Sequence, residues 1–414
     1  MFRDDQLTEE ARQVLLDNDR GSYSVPTKGL YPYQWNWDSA FASLGYATND
    51  MNRAWIELES LFSGQWPNGM VPHILFHELS QDYFPNPSDW GAFGGPIPSS
   101  GISQPPVAPT VAKILWELDR EVSRKRVESL LPAMLKWYQW FMDNRFQEGV
   151  IVATHPWESG RDNSPDWDKA LSRIHVDAPL DYSRKDTLMV NEEMRPTKEE
   201  YDKYYWLVQL GRSTQWFESE LKVKSPFRVG DPGLTFIFMR AIKDLIALSL
   251  EFGLETTQLE EDYNRLTEGT SYLWNSELEA YAARCTKTGQ FADSMSSASF
   301  LCWYGGVDSQ LMYNHLCRIL KDVLFGIPSL DSRSTKFDRS RYWRGPTWAI
   351  MNFMIALGLK EYSYSEAEKL FEATKTMIKK GGFAEYFDPF TGDPKGGKHF
   401  TWTAAVWLYL AGRF

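Results

Sequence analysis

The stretch DPGLTFIFMRAIKDLIALSLEF, residues 231–252, reads as one long helix that is apolar on nearly every face. Asp231 offers an N-cap side chain, and Pro232 suits the first helical position. Three charged residues near the middle interrupt the apolar run, so the segment does not read as a membrane span. A helix that is apolar all round is surrounded by other protein, which predicts an inner element of a large helical core.

Amphipathic helices alternate with apolar ones along the chain. Ser365-Glu-Ala-Glu368 reads as a capping box, and apolar residues then recur on one face until Lys379-Lys380-Gly381 ends the helix. An inner ring of helices wrapped by an outer ring has this alternation, and no fixed-period repeat favours an α-solenoid instead. We predict an all-α protein, an (α/α)6 barrel of about twelve to fourteen helices with few strands. The predicted helices span approximately 5–18, 37–48, 50–63, 109–121, 123–144, 166–173, 197–213, 231–252, 257–274, 296–304, 309–323, 346–359, 365–380 and 400–412.

Two long connections break this rhythm. Residues 64–109 are rich in Pro and Gly, and residues 175–195 carry mixed charges. Long loops inside a compact domain are usually lids or binding loops. No Gly/Ser linker marks a domain boundary, so we predict a single catalytic domain over 1–414, with both loops inserted over one end of the barrel.

The composition of the chain limits the kinds of molecule that it is expected to bind. The net charge is −11 and the chain has no Lys/Arg run, so we expect neither nucleic acid nor a membrane surface as a partner, but a substrate that is small or neutral overall. The N-terminus, MFRDDQLTEEARQVLL, does not resemble an export signal, and the three cysteines are widely spaced. We therefore expect a cytoplasmic protein; homo-oligomer formation is left open.

The chain is rich in tryptophan, with 18 residues, several of them in Pro/Gly-rich turns. Flat apolar rings beside carboxylates suit sugars, whose C–H faces stack while their hydroxyls bond to fixed acceptors. Four clusters of aromatic and acidic residues fall at helix boundaries: YPYQWNWDSA (31–40), HPWESGRDNSPDW (155–167), RYWRGPTW (341–348) and GGFAEYFDPFTG (381–392). In a double ring of helices such connections converge on one end, so we expect the clusters to face one cavity.

Metal and cofactor motifs are missing from the sequence. His73 and His77 have a helical i, i+4 spacing, but the HExxH order and a third ligand are absent. No phosphate-binding loop, dinucleotide fingerprint or G-x-S-x-G elbow occurs either. We predict no metal and no cofactor.

At these clusters the sequence resembles glycoside hydrolase family 63, in particular its short, single-domain bacterial branch, which hydrolyses α-mannosylglycerate and α-glucosylglycerate. The matching motifs run in order over residues 31–405: WNWDSAF, WESGRDNSP, RPTKEEYDKY, YWRGPTW, FAEYFDPFTG and FTWTAA. The resemblance implies an inverting α-glycosidase on an (α/α)6 barrel. By motif it makes Asp162 the general acid and Glu385 the general base.

An inverting glycosidase needs one protonated and one ionised carboxyl on opposite sides of the scissile bond. Asp162 and Glu385 come from remote parts of the chain, which suits opposite walls of a cavity. We expect Trp157 and Trp167 to raise the pKa of Asp162 by desolvation, and Glu158 to raise it as a like charge. Arg161 would oppose this, so we expect it to turn outward or to pair with Glu158 or Asp166.

The RPTKEEY segment contains residues that are suited to binding the aglycone, the part of the substrate that is not the sugar. Glycerate ends in a carboxylate, which a guanidinium and a phenol on a closing loop would bind. Arg195 and Tyr201 fit that description, and Gln104 is expected to reach the same group. The alternative is that Arg195 simply begins a charged surface helix.

The other candidates suit the sugar. Trp37 can stack on a ring while Asp38 accepts from two hydroxyls, although Asp38 also suits the first turn of a helix. Arg344 is expected to position hydroxyls, to balance Glu385, or to form a structural ion pair. The predicted substrate contacts are Tyr31, Trp35, Trp37, Asp38, Gln104, Trp157, Glu158, Arg195, Tyr201, Tyr342, Trp343, Arg344 and Trp348, with one or two of the last aromatic residues in the core.

Alternatives remain at this stage. Asp162 could be only a helix N-cap before Asn163-Ser164-Pro165, and Asp388 rivals Glu385 as the base. A trehalase-like glucosidase would share the same core. A sugar epimerase on the same barrel would want a histidine pair at the cavity floor, and a binding protein would use the aromatic residues alone.

Overall fold

The computed structural model describes residues 2–78, 83–177 and 180–412. The α-helices of these residues are α1 (Phe2–Asn18), α2 (Asn36–Tyr46), α3 (Met51–Ser63), α4 (Pro87–Trp90), α5 (Ala108–Leu118), α6 (Arg120–Asn144), α7 (Asp168–Leu171), α8 (Lys185–Met189), α9 (Lys198–Ser213), α10 (Glu218–Lys224), α11 (Pro232–Glu251), α12 (Thr257–Gly269), α13 (Cys302–Gly305), α14 (Gln310–Asp322), α15 (Ala349–Glu361), α16 (Glu366–Gly381) and α17 (Thr401–Ala411). Short 3-10 helices span Pro156–Ser159, Pro165–Trp167, Glu192–Met194, Thr270–Leu273 and Ser297–Leu301. The strands are β1 (Gln34–Trp35), β2 (Ile74–Leu75), β3 (Phe146–Gln147), β4 (Val150–Ala153), β5 (Val229–Gly230), β6 (Trp274–Asn275), β7 (Ala280–Tyr281), β8 (Arg284–Cys285), β9 (Tyr386–Phe387) and β10 (Pro394–Lys395).

Six helices form a closed inner ring. In chain order they are α2, α5, α11, α13, α15 and α17, each contacts the next, and α17 returns to α2. These helices are buried on almost every side: every residue of α2 is buried. The amphipathic helices α1, α3, α6, α12, α14 and α16 alternate with them in the chain and form the outer layer. The predicted all-α (α/α)6 barrel is therefore confirmed.

The helix ends are determined by local chemistry. Asp231 accepts hydrogen bonds from the backbone N–H groups of Gly233 and Leu234, so the predicted N-cap of α11 is confirmed. The predicted capping box at Ser365 is wrong. Ser365 has helical backbone angles and its hydroxyl makes no cap bond, because it bonds to the side chain of Glu366 instead. No helix of the described residues is long and apolar enough to cross a membrane.

A small antiparallel sheet, with strand order β3-β4-β5-β8, supports one edge of the barrel. Strand β4 leads directly into the 155–167 turn, and β5 leads into the N-terminus of α11. The pairing of Val152 with Gly230 and of Ala153 with Val229 therefore sets the 155–167 turn beside an inner helix.

The two predicted loop insertions contain only short elements. Residues 64–109 include β2, α4 and the start of α5, and residues 175–195 include α8 and one 3-10 turn. Parts of both predicted insertions, residues 79–82 and 178–179, lie outside the described residues, as do residues 1, 413 and 414 of the predicted domain. Phe84 of the first segment stacks on Tyr182 of the second, with ring centroids 4.4 Å apart, so the two segments pack against each other.

Candidate active site

A cavity opens at the N-terminal ends of the inner helices α2 and α17. Trp37 and Asp38 reach it from the first turn of α2, and Trp402 from the first turn of α17. The described residues that line it are Pro26, Leu30, Tyr31, Trp35, Trp37, Asp38, His73, Ile74, Tyr83, Phe84, Pro85, Gln104, Trp157, Gly160, Asp162, Lys185, Asp186, Arg195, Pro196, Tyr201, Tyr342, Glu385, Phe400 and Trp402. The walls are thus mainly aromatic, with a few charged groups pointing between the rings.

Asp162, the predicted acid, lies in a turn that follows the 3-10 helix Pro156–Ser159. Gly160 precedes it with a φ of +70°, and a Cβ there would approach Cζ2 of Trp37 to 2.5 Å, so only glycine fits. Burial raises the pKa of Asp162 to about 7; the cation of Arg195 lowers this pKa, whereas the charge of Glu385 raises it. A carboxyl with this pKa holds its proton at neutral pH for a substantial part of the time.

Glu385, the predicted base, is the residue before β9 and is only 1% exposed. Arg195 donates to both carboxylate oxygens, at 3.2 and 2.8 Å. Tyr31 Oη donates to one oxygen at 3.1 Å, and the backbone N–H of Gly397 donates to the other at 2.8 Å. Four donors leave Glu385 in an environment that suits an ionised acceptor, in contrast to Asp162.

A chain of hydroxyls connects the two carboxyls. The hydroxyl of Tyr342 lies beside Asp162 and lowers the pKa of Asp162. The hydroxyls of Tyr342 and Tyr31 lie 3.5 Å apart, and Tyr31 continues to Glu385. Tyr342 has a φ of +37°, a conformation that costs about 1–2 kcal/mol in a residue with a side chain. Such strain is typical of functional positions that the surrounding structure holds in place.

Other polar groups in the cavity are also neutralised by burial. Burial raises the pKa of Asp38 well above its ordinary value, and the charges of Glu385 and Asp162 raise it further. Burial lowers the pKa of His73 well below its ordinary value, so its imidazole is neutral. Among the histidines of the described residues, only His73 lines the cavity. His155 lies behind the cavity wall, where its Nε2 is hydrogen-bonded to the carbonyl oxygen of Tyr204.

Two expectations around Asp162 need correction. Glu158 is fully buried behind the cavity and pairs with Arg145 at 2.9 Å, so the like charges that act on Asp162 come from Glu385 and Asp186 instead. Trp157 lines the cavity, but Trp167 does not; its indole donates to the carbonyl of Arg161 at 2.7 Å.

Arg161 turns into the core. Its Nη1 and Nη2 groups pair with Asp166 and Asp231, both at 2.5 Å, and the side chain is 2% exposed. The expected pairing with Asp166 is therefore confirmed, whereas an outward orientation is not. Because Asp231 caps α11, this pairing fastens the turn of Asp162 to an inner helix.

In the 341–348 cluster two aromatic residues lie in the core, as expected for one or two of them, and Arg344 forms the structural ion pair that was one of its expected roles. Trp343 and Trp348 stack on each other, with ring centroids 3.8 Å apart, and both are buried in the core. Arg344 does not balance Glu385; it pairs with Asp168 and Glu200. Of this cluster, Tyr342 alone is among the described residues that line the cavity. Amphipathic periodicity could not separate these positions, because they lie in an irregular turn.

The remaining sugar and aglycone candidates line the cavity. They are Tyr31, Trp35, Trp37, Asp38, Gln104, Trp157, Arg195, Tyr201 and Tyr342. Gln104 accepts the backbone N–H of Trp37 at 3.2 Å, so it also fixes the start of α2. Arg195 is not the start of a surface helix but a buried partner of Glu385, and Tyr201 Oη donates to the carbonyl of Phe84 at 3.3 Å. Asp388, the rival base, pairs with Arg339 and is not among the described residues that line the cavity.

Sequence reasoning missed several lining residues. Lys185 and Asp186 come from the 175–195 segment. There, Arg184 donates to both carboxylate oxygens of Asp186, at 3.0 and 2.6 Å. Phe400 and Trp402 belong to the FTWTAA motif, whose match to the family could have nominated them. No local pattern distinguishes Asp186 from the other charges of its segment.

A closed ring of helices around a cavity with aromatic walls, a desolvated carboxyl and a second carboxyl that accepts four hydrogen bonds, is typical of an (α/α)6 glycoside hydrolase. Comparisons with known proteins agree. Residues 31–403 match the model of the mannosylglycerate hydrolase MGH1-like glycoside hydrolase domain. The chain is 43% identical to mannosylglycerate hydrolase MGH1 of Selaginella moellendorffii, covering 98% of this chain and 86% of that one. It is 31% identical to glucosylglycerate hydrolase of Mycolicibacterium hassiacum, covering 98% of each.

A solved structure is also similar. The crystal structure of a family 63 mannosylglycerate hydrolase from Thermus thermophilus, in complex with Tris and D-glycerate, matches with a TM-score of 0.93 and 41% identity over 97% of this chain and 99% of that one. The chain therefore belongs to the MGH1-like family of glycoside hydrolases, within glycoside hydrolase family 63. The family resemblance seen in the motifs is confirmed, and the epimerase and binding-protein alternatives are not supported.

Proposed function

We propose that this chain is an inverting α-glycosidase that hydrolyses α-mannosylglycerate or α-glucosylglycerate, with Asp162 as general acid and Glu385 as general base. Relatives at 43% and 31% identity carry the names mannosylglycerate hydrolase and glucosylglycerate hydrolase. The similar Thermus structure holds D-glycerate, the aglycone of both substrates. The three unpaired cysteines suit the cytoplasm, the location we propose.

The observation that carries the proposal is the contrast between two carboxyls of one cavity. Asp162 is desolvated and has a raised pKa of about 7, whereas Glu385 receives four hydrogen bonds, two of them from a guanidinium. An inverting enzyme needs this contrast, since one group must give a proton and the other must take one.

The reaction follows from these protonation states. Asp162 gives its proton to the glycosidic oxygen, so glycerate leaves as a neutral alcohol at that oxygen. Glu385 takes a proton from a water molecule, which attacks the anomeric carbon from the opposite face. The α-glycoside therefore yields the β-anomer of the free sugar. Both carboxyls then exchange protons with solvent, which restores the starting state.

The charge of the cavity suits an anionic substrate. Its described lining residues include four carboxyls, of Asp38, Asp162, Asp186 and Glu385, and two cations, Lys185 and Arg195. Burial favours the protonated forms of Asp38 and Asp162, so these two carboxyls repel an anionic substrate less than ionised carboxyls would. Arg195, already at Glu385, and Lys185 on the 175–195 segment are the cations that a glycerate carboxylate can meet, with Tyr201 as a further donor.

Proton NMR of the purified enzyme with each glycoside tests the proposal. We expect the β-anomer of mannose or glucose to appear first and to mutarotate later. Asp162→Asn and Glu385→Ala should each reduce kcat by at least about a thousandfold. Azide, a small anion that needs no base, should restore turnover to Glu385→Ala as a β-glycosyl azide. First release of the α-anomer contradicts inversion, and cleavage of trehalose without cleavage of either glycerate glycoside contradicts the substrate assignment.

A further inference from the structure

A network of four charged side chains lies beside the cavity, outside its described lining. Arg344 Nη2 donates to Asp168 at 2.5 Å and to Glu200 Oε1 at 3.1 Å. Arg341 Nη2 donates to Glu200 Oε2 at 2.7 Å. Their side chains are between 13% and 28% exposed, so water screens them only in part. Glu200, with an arginine on each oxygen, is the centre of this network.

The network joins the three chain segments that carry the central groups of the site. Asp168 begins α7, six residues after Asp162. Arg341 and Arg344 flank Tyr342 in the chain. Glu200 lies in the first turn of α9, so it follows Arg195 closely. Asp162, Arg195 and Tyr342 themselves lie in turns or bends, outside the helices and strands.

Glu200 also fastens the start of α9. Its Oε2 accepts the backbone N–H of Thr197 at 2.6 Å and the Thr197 hydroxyl at 3.0 Å. Thr197 in turn accepts the backbone N–H of Glu200 at 3.2 Å, which completes a capping box. Because Thr197 is two residues from Arg195, the same carboxylate fixes the backbone from which Arg195 reaches Glu385.

Tyr342 needs such support, because its backbone is held in the left-handed region with a φ of +37°. The turn around it has few backbone bonds of its own, among them Arg344 N–H to the Arg341 carbonyl at 2.8 Å. The ion pairs of Arg341 and Arg344 hold the two ends of the turn. The Trp343 N–H, which donates to Asn163 Oδ1 at 2.9 Å, connects its middle to the neighbour of Asp162.

We propose that Glu200 is a positioning residue, which keeps the Tyr342 hydroxyl on Asp162 and the Arg195 guanidinium on Glu385 by joining the two segments that carry them. This inference rests on the roles proposed above for Asp162 and Glu385. It also accounts for Arg344, which acts on the site through Glu200 rather than through the sugar. A partly exposed ion pair contributes little to stability by itself, and Gln can replace Glu at this position of a capping box, so Glu200→Gln tests the ion pairs rather than the cap.

Four variants test the proposal: Glu200→Gln, Tyr342→Phe, the double variant, and Glu59→Gln as the control. Glu59 accepts two hydrogen bonds from Arg126, at 2.7 and 2.5 Å, and joins two outer helices; its side chain is 33% exposed, against 18% for Glu200. We expect Glu200→Gln to lower kcat about tenfold or more with little change in KM, because Glu200 does not touch the substrate. Glu59→Gln should leave both constants unchanged.

The pKa of Asp162 gives a second readout. It is measured by carbon-13 NMR of the Asp162 carboxyl, and Asp162→Asn identifies the signal. The Tyr342 hydroxyl and the Arg195 charge both lower this pKa, so Tyr342→Phe and Glu200→Gln should both raise it, and the rise in the double variant should be smaller than the sum of the two single rises. The other charged or titratable groups that act on or respond to Asp162 are Arg195, Glu385, Asp186, Asp38, Tyr83 and Tyr204. None of them is changed in these variants.

The inference is overturned if Glu200→Gln leaves the Asp162 titration where it is in the wild type, or if its only effect is a loss of thermal stability equal to that of Glu59→Gln. The NMR titration needs no substrate. A wild-type enzyme that cleaves neither glycerate glycoside would therefore overturn the proposed function, while the titration would still decide the role of Glu200.

Discussion

Two aspartates of one cavity differ from ordinary aspartates because of what surrounds each residue. Asp162 and Asp38 are both desolvated by aromatic neighbours, and both lie near the charge of Glu385. Arg195 and the Tyr342 hydroxyl lower the pKa of Asp162, so that it lies at about 7. The same arginine that serves Glu385 thus prevents Asp162 from binding its proton too tightly to release it.

The pH dependence of kcat/KM should show this balance. The general acid must be protonated, so activity should be present below the pKa of Asp162 and be lost as the pH rises through about 7. Asp186 raises that pKa, hence Asp186→Asn should move the alkaline limb to lower pH. Glu193→Gln, which removes an exposed charge from the same segment, is the control. An unchanged or higher limb in Asp186→Asn contradicts the assignment.

Stability should depend on the same group. In the folded protein Asp162 has a pKa of about 7 rather than its ordinary value of 3.8, so its favourable contribution is complete below the unfolded pKa and is lost as the pH rises through the folded one. Asp162→Asn, always neutral, should therefore be more stable than the wild type at pH 8, by as much as about 4 kcal/mol, and by less at pH 5. Urea unfolding at the two pH values measures the difference; a pH-independent difference would argue against burial as the cause.

At the scale of elements, short connections rather than helices hold the reactive groups. Glu385 precedes the hairpin of β9 and β10, where Tyr386 pairs with Lys395. The return of this hairpin brings the backbone N–H of Gly397 to Glu385 Oε2 at 2.8 Å. Gly396, with a φ of +69°, lies so close that a Cβ would meet the ring of Tyr386 and, at 2.5 Å, the same oxygen of Glu385.

Gly396→Ala should therefore displace the Glu385 carboxylate. We expect kcat/KM to fall by at least about tenfold, since small misplacements of a catalytic group are costly. Gly253→Ala is the matched control, because Gly253 has a φ of +68° but nothing within 4 Å of its Cβ position. Both variants carry the cost of a left-handed alanine, about 1 kcal/mol in each. Equal activity losses in the two variants would show that backbone strain, not the contact with Glu385, is responsible.

At the scale of the whole molecule, closure of the helix ring makes the site. The last inner helix, α17, packs against the first, α2, so that residues from both ends of the chain face one cavity. Gly45 permits this approach, since a Cβ there would lie 2.7 Å from the Cβ of Ala405. Without this contact, Tyr31 and Trp37 would have no fixed relation to Glu385 and Trp402.

Gly45→Ala should consequently destabilise the whole domain by about 1–3 kcal/mol through overpacking, despite the better helix propensity of alanine. Ala405→Gly in the same chain removes the nearest atom, and the two changes of helix propensity then nearly cancel. The Cα of Ala405 would still lie 2.8 Å from the new Cβ, so the double variant should recover only part of the lost stability. Urea unfolding of the two single variants and the double variant measures the coupling. If the double variant loses as much as the sum of the single losses, the two helices do not meet at these residues.

The helices could be predicted well because amphipathic periodicity is local. Wholly apolar segments such as 231–252 alternate with amphipathic segments such as 365–380, and this alternation by itself predicts the inner and outer layers of helices. The capping box at Ser365 failed, since its hydroxyl had a nearby rival acceptor in Glu366. The family motifs span the chain, and they predicted that Asp162 and Glu385 work together. The structure shows that both residues line the same cavity and which groups surround them.

The sequence by itself determined that this chain forms a double ring of helices, with its aromatic and acidic clusters in the connections, because both properties depend on residues close in the chain. Only the tertiary structure decided which way those connections point: Trp343, Trp348 and Glu158 into the core, Arg344 to Glu200, and Asp186 into the cavity. In an irregular turn the direction of a side chain depends on partners that are distant in sequence, such as Arg145 for Glu158 and Asp168 for Arg344, and no local periodicity encodes them.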